Sequence, residues 1–288
     1  MSKSFRPRRS VLYVPAASEK ALAKAPTLSC DVVVIDLEDA VAPSAKEEAR
    51  ARLAGVFSGR CAGGPELVIR VNALSSPWGA DDIAAAAACG PDAILLPKVD
   101  GPRDVLAADD LLDSLDADPA IRIWTMIETP KAMLNLGPIA ELGRDAAARL
   151  VCFVAGTNDL VKETGVRPTP DRRWLVPWLQ QIVLAARAGG LDALDGVSND
   201  FRDLDAFARE CDDGRAMGFD GKTLIHPAQV DAANRAFSPS EAEIAEANAV
   251  VAGFSLPGNA GKGVIQIDGR MVERLHLDQA RKLLAKVV

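Results

Sequence analysis

With 288 residues, 49% of them hydrophobic and only 5% aromatic, the chain can bury a large aliphatic core, which favours parallel α/β architecture over an aromatic-rich sandwich. A net charge of −7 argues against nucleic acid or an anionic membrane as the main partner. The five cysteines (Cys30, Cys61, Cys89, Cys152, Cys211) form no Cys-x-x-Cys pair, which argues against a structural zinc site and fits a reducing cytoplasm.

Arg8-Arg9-Ser10 resembles a twin-arginine signal, but the apolar run after it stops at Ser18-Glu19-Lys20, too early for an export segment. No stretch approaches the ~18 uncharged apolar residues of a membrane span. From there strands and helices alternate. Apolar strands are expected at 10–15, 32–39, 67–72, 93–99, 124–128, 150–155, 191–196 and 222–226. Helices are expected at 18–28, 44–57, from 78, at 103–115, after Thr129-Pro130, at 172–188, at 201–217 and after Pro227. Proline suits a first helical turn, and Gly189-Gly190 suits a helix end.

Eight strand-helix units within residues 1–236 imply a parallel sheet closed into a (β/α)8 TIM barrel. The competing open, doubly wound sheet lacks a Gly-x-Gly-x-x-Gly after the first strand. Residues 237–288 break the pattern with a helix at 240–254, a Gly/Pro-rich stretch, a short strand at 264–267, the turn Asp268-Gly269 and a last helix at 274–286. This carboxyl-terminal helical extension is too small to fold alone and is expected to pack on the barrel or on a neighbouring subunit.

In barrels of this kind, polar residues at the carboxyl ends of strands build the active site. Those ends supply Asp36, Glu38, Asp39, Arg70, Lys98, Glu128, Asn158, Asp159, Asp195 and His226. Glu128 and Asp159 end neighbouring strands, the arrangement that holds a hard cation such as Mg²⁺. The plainer reading makes them helix caps. Arg70 lies in the apolar context Val-Ile-Arg-Val, where an unpaired guanidinium is costly. It is either a clamp for a substrate oxygen or half of a buried ion pair with a second-strand acid. Because strand residues alternate faces, one or two of Asp36, Glu38 and Asp39 are expected to support metal-bound waters or Arg70. Lys98 reads as a structural or substrate contact rather than a Schiff-base lysine, and His226 as a turn residue.

Several segments resemble the citrate lyase β-subunit-like members of the HpcH/HpaI aldolase/citrate lyase family, which includes malyl-CoA and citramalyl-CoA lyases. They are residues 9–15, Asp36-Leu-Glu-Asp-Ala-Val-Ala-Pro43, 69–72, Leu96-Pro-Lys-Val99, Met126-Ile-Glu-Thr-Pro130, Gly156-Thr-Asn-Asp-Leu160 and 218–227. The resemblance implies a Mg²⁺-dependent carbon–carbon lyase acting on a 3-hydroxyacyl-CoA ester and yielding an acyl-CoA and a 2-oxo acid. It implies Glu128 and Asp159 as metal ligands and Arg70, Asn158 and Lys24 as substrate contacts, Lys24 toward coenzyme A. Asp36, Asp39 and Lys98 stand behind these residues. It also implies a trimer or hexamer whose carboxyl-terminal segment reaches a neighbour's site.

One position departs from the pattern. Met271-Val-Glu273 offers a glutamate where the CoA-dependent lyases carry a catalytic aspartate. Glu273 is therefore either the acid–base group or a solvated acid in the first turn of the last helix. The alternatives are a CoA-independent pyruvate or oxaloacetate aldolase, an acyl-CoA thioesterase, the β subunit of a citrate lyase complex, and a non-catalytic binding protein.

Overall fold

The structure, a computed structural model, describes residues 6–59, 63–145 and 147–287; Cys61 lies outside them. The eight barrel strands are β1 (Ser10–Pro15), β2 (Val32–Asp36), β3 (Glu66–Arg70), β4 (Ala93–Leu96), β5 (Arg122–Ile127), β6 (Leu150–Ala155), β7 (Asp192–Asp195) and β8 (Gly221–Leu224). Every neighbouring pair is parallel, and β8 returns to β1, so the sheet closes as a (β/α)8 TIM barrel. β2 to β4 are buried along their whole length. That is why they read as continuous aliphatic runs rather than as alternating strands.

The helices are α1 (Glu19–Lys24), α2 (Lys46–Ala51), α3 (Leu53–Ser58), α4 (Gly79–Cys89), α5 (Pro102–Ser114), α6 (Pro130–Leu134), α7 (Leu136–Glu141), α8 (Thr157–Thr164), α9 (Val176–Gly189), α10 (Leu204–Met217), α11 (Val230–Phe237), α12 (Glu241–Ser255) and α13 (Arg274–Leu284). Several expected helices are shorter, two of them for a clear local reason. The one expected at 18–28 ends at Lys24 and tightens into a 3₁₀ turn over Ala25–Thr27, with Pro26 at its start. The one expected from 172 begins at Val176. Arg172, with φ of 51°, sits in a left-handed turn that delays the start.

Strand period decides what enters the barrel. Val11, Val32, Val34, Val68, Leu95, Trp124, Met126, Cys152, Val154 and Leu194 form the interior cluster, with Tyr13 packed on it. Continuing each strand by two residues carries Val34 to Asp36, Val68 to Arg70 and Met126 to Glu128. By the same parity Asp195, next to inward Leu194, faces outward. Its carboxylate meets Arg172 at 2.8 Å and Lys222 at 2.9 Å, and Lys222 also meets Glu210 of α10 at 2.7 Å. This buried network ties β7 and β8 to the helix layer. It corrects the expectation that Asp195 joins the strand-end cluster.

At the opposite, amino-terminal end of the strands, Arg8 binds Glu66 at 2.8 Å and Asp192 at 2.6 Å and lies 4.6 Å from the Trp124 ring centroid. Arg9 binds Asp31 at 2.8 Å. The paired arginines are thus structural parts of the barrel floor.

The described residues divide into two compact units, residues 8–236 and residues 6–7 with 237–287. Within the second, α12, a hairpin and α13 enclose Ala247, Val250, Phe254, Ile265, Val272 and Leu277. The hairpin pairs β9 (Val264–Ile267) with β10 (Arg270–Glu273) around Asp268-Gly269. β10 is an element that the sequence reading missed. Among the described residues no helix is long and apolar enough to cross a membrane.

Candidate active site

A cavity of about 370 Å³ opens at the carboxyl ends of the strands, lined among others by Tyr13, Asp36, Asp39, Arg70, Met126 and Asp159. Arg70, the last residue of β3, is paired in register with Asp36, the last of β2. Its Nε and Nη2 donate to the two oxygens of Asp36 at 2.7 Å each. Nη1 lies 2.8 Å from Glu38 and 3.6 Å from Asp39. The guanidinium stands over the Tyr13 ring, 4.9 Å from its centroid. Burial opposes its charge most strongly, but hydrogen bonding to Asp36 together with the charges of Asp36 and its neighbours outweighs this and holds its pKa well above the ordinary value.

All three second-strand acids reach Arg70, not one or two. β2 ends at Asp36, so strand alternation no longer applies beyond it. The carboxylate of Asp36 accepts the amides of Glu38 at 2.8 Å and Ala40 at 3.2 Å, turning the chain back over the strand end. Asp36 and Asp39 therefore act on Arg70. Glu38 shares a cation already bound bidentately by Asp36. Burial pushes its carboxyl upward, and Arg70 only partly reverses this.

Glu128 follows β5 and is fully buried. It is not the helix cap. Thr129 takes that role, its Oγ1 accepting the Ala132 amide at 2.9 Å. Oε1 of Glu128 instead accepts the Lys98 amide at 2.7 Å and lies 3.3 Å from Lys98 Nζ. Lys98 adopts a φ of 52°, a left-handed conformation uncommon outside glycine. This turn presents both its amide and its ammonium to Glu128. The same ammonium is 2.7 Å from Asp159 in the first turn of α8. Burial pushes the Glu128 carboxyl up, while the charge of Lys98 pulls it back. Gly156, between β6 and α8, lies against this group. A Cβ there would lie 2.6 Å from Glu128 Oε2, so only glycine leaves the carboxylate its place.

Glu128 and Asp159 could hold a divalent cation. Oε2 of Glu128 is buried without a hydrogen-bond partner among the described residues, and one ammonium already sits between the two carboxylates. Among the described residues no group of three His, Cys, Asp or Glu forms a metal cage. A pair of carboxylates suits Mg²⁺, which keeps several waters and takes one or two protein carboxylates.

The remaining predicted residues separate. Asn158 lines the cavity and exchanges hydrogen bonds with Asn199 at 2.8 and 3.2 Å. Lys24 is exposed on the last turn of α1 and is not among the cavity-lining residues. His226 stacks on Phe201, 4.6 Å between centroids, and its Nδ1 accepts the Ala228 amide at 3.1 Å, a turn residue as expected. In the carboxyl-terminal unit, Glu273 precedes α13, and its amide donates to His276 Nδ1 at 2.9 Å. The sequence reading passed over Tyr13, Met126 and Thr223 as cavity residues. Their signal was positional: each occupies an inward position near a strand end.

Comparison with known proteins gives a consistent picture. The model of the HpcH/HpaI aldolase/citrate lyase family matches residues 9–227. A (3S)-malyl-CoA thioesterase of Cereibacter sphaeroides is 46% identical over 99% of this chain and 96% of its own. A mitochondrial citramalyl-CoA lyase of Rattus norvegicus is 33% identical over 97% of this chain and 86% of its own. The crystal structure of CitE from Mycobacterium tuberculosis, in complex with magnesium, acetoacetate and coenzyme A, superposes with a TM-score of 0.75. It is 28% identical and covers 97% of each chain.

Proposed function

Because this chain belongs to the HpcH/HpaI aldolase/citrate lyase family, we propose that it is a Mg²⁺-dependent carbon–carbon lyase acting on a malyl- or citramalyl-type CoA ester. It would release, or join, an acyl-CoA and a 2-oxo acid. The observation that carries this reading is the juxtaposition of the Glu128–Asp159 pair with a locked Arg70 at one barrel mouth. Glu128 and Asp159 would hold the metal, which when bound supplies Lewis acidity toward the substrate's hydroxyl and adjacent carboxylate oxygens.

Arg70 carries five N–H donors, and Asp36 and Glu38 fix its plane without using them all. A donor left to it would meet an enolate oxygen as charge develops there, without reorganisation of the guanidinium. Lys98 holds Glu128 through its amide, so the carboxylate keeps its orientation when the ammonium moves. A further group must carry the proton to or from the acetyl carbon. Glu273, in the position of the family's aspartate, is the candidate, and Lys24 is the candidate contact for coenzyme A. The enzyme would act as a homotrimer or hexamer in the cytoplasm.

A second reading, hydrolysis of the same thioester, is favoured by the 46% identity to a malyl-CoA thioesterase. One assay separates the two. The protein is given malyl-CoA and citramalyl-CoA with Mg²⁺ or with EDTA, and oxo acid and free thiol are followed separately. Mg²⁺-dependent oxo acid without thiol is the expected result. Thiol without oxo acid establishes the hydrolase, and neither product overturns both readings.

A further inference from the structure

Tyr13 is the chain's one tyrosine. It occupies the inward position of β1 two residues beyond Val11, packs on the barrel interior and lines the cavity. Its ring carries the Arg70 guanidinium at 4.9 Å. Its hydroxyl is buried and has no hydrogen-bond partner among the described residues. Leaving a buried hydroxyl unpaired costs about 1–3 kcal/mol. Phenylalanine would fill the same space without that cost, so ring packing does not account for the hydroxyl.

The charges around Tyr13 show what suits it. Burial raises its pKa, and the carboxylates of Asp36, Glu128 and Glu38 raise it further against the opposing pull of Arg70. The group therefore stays a protonated donor in the range where the enzyme works. Yet none of those carboxylates accepts its proton: Asp36 is bound by Arg70 and two amides, Glu38 by Arg70 and Glu128 Oε1 by Lys98, while Glu128 Oε2 is left without a partner among the described residues just as the hydroxyl is. Asp39 is the loosest of Arg70's three acids, at 3.6 Å and with its side chain 64% exposed. An incoming oxyanion can take its place on the guanidinium at little cost and so enter the wall that Tyr13 forms.

We propose that Tyr13 is a substrate-binding residue whose hydroxyl donates a hydrogen bond to the substrate oxyanion held by Arg70. The pair then reads one oxygen with a charge and a neutral donor together, discriminating in favour of substrates with a carboxylate or enolate at that point. This rests on the proposed lyase or thioesterase reading of the site.

Tyr13→Phe tests it, because two effects of opposite sign are expected. Removing an unsatisfied hydroxyl leaves the melting temperature unchanged or higher, whereas kcat/KM for malyl-CoA falls about 10- to 100-fold, the loss of one hydrogen bond to a charged group. In parallel, 3-fluorotyrosine labels this position alone, and its ¹⁹F resonance is expected to shift when pyruvate or glyoxylate is added with Mg²⁺. A Tyr13→Phe variant with wild-type kcat/KM, or with a lower melting temperature, overturns the contact. Wild-type turnover with an unmoved resonance overturns it too. If the wild type neither turns over malyl-CoA nor responds to either oxo acid, the functional reading itself fails and the contact falls with it.

Discussion

The two ends of the barrel are both lined by charged side chains, yet they differ in how those charges are satisfied. At the floor, Arg8 is gripped by Glu66 and Asp192 and stacked on Trp124, and Arg9 is gripped by Asp31. Each cation there has an acid within 2.8 Å. At the mouth, Arg70 must serve three acids, Lys98 is stretched between two, and the hydroxyl of Tyr13 and Oε2 of Glu128 are left over. One end is closed by matched charge, and the other keeps unmatched donors and acceptors for a ligand. This follows the division of labour between the two faces of such barrels.

The largest effect is expected of Glu128→Gln. Metal-dependent turnover is expected to fall by roughly 10³-fold or more, since several kcal/mol of transition-state stabilisation depend on a held metal. Thermal stability should change little, because the amide retains an acceptor for the Lys98 N–H. Full activity in this variant would mean that the metal is held elsewhere.

The converse variant is Lys222→Met, on the outer face of β8, where Asp195 and Glu210 would lose the buried ammonium and keep only the cation of Arg172. Breaking a buried pair from one side costs about 3–5 kcal/mol. Chemical denaturation should register that loss, while kcat per folded molecule stays near wild type. A variant that folds normally but loses turnover would place the Asp195 network inside the chemistry after all.

A smaller effect sharpens the contrast within the mouth. Burial raises the Glu38 carboxyl above its unfolded value, so between those two values the unfolded chain binds fewer protons than the folded one. Stability contributed by protonated Glu38 is therefore complete below the ordinary carboxylate range and is lost as pH rises through the folded pKa. Melting temperatures followed from mildly acidic to neutral pH should decline less in Glu38→Gln than in wild type. Parallel curves would show that Arg70 holds Glu38 fully ionised.

Much of this was legible in the residue pattern. Repeated apolar runs followed by helix starts specify parallel strands, and eight of them lead to a closed barrel. Polar residues at the ends of those runs mark the mouth, so it could be read in advance that Arg70, Glu128 and Asp159 meet there. What pattern alone misjudged were positions where the chain leaves regular geometry. Strand alternation was applied to Glu38 and Asp39, which lie past the end of β2. Asp195 was counted with the mouth although its parity sends it to the helices. Lys98 reaches both carboxylates only because a left-handed residue turns it there.

Periodicity is a local property, written in each strand and helix by which side chains leave water, and so the sequence by itself determined the barrel, the order of its strands and the residue types at its mouth. Which acid pairs with which cation, and which hydroxyl is left without a partner, depends on distances between elements far apart in the chain. Arg70 and Asp36 are 34 residues apart, and Lys98 and Glu128 are 30 apart. Those distances exist only once the sheet has closed, so tertiary structure decided them.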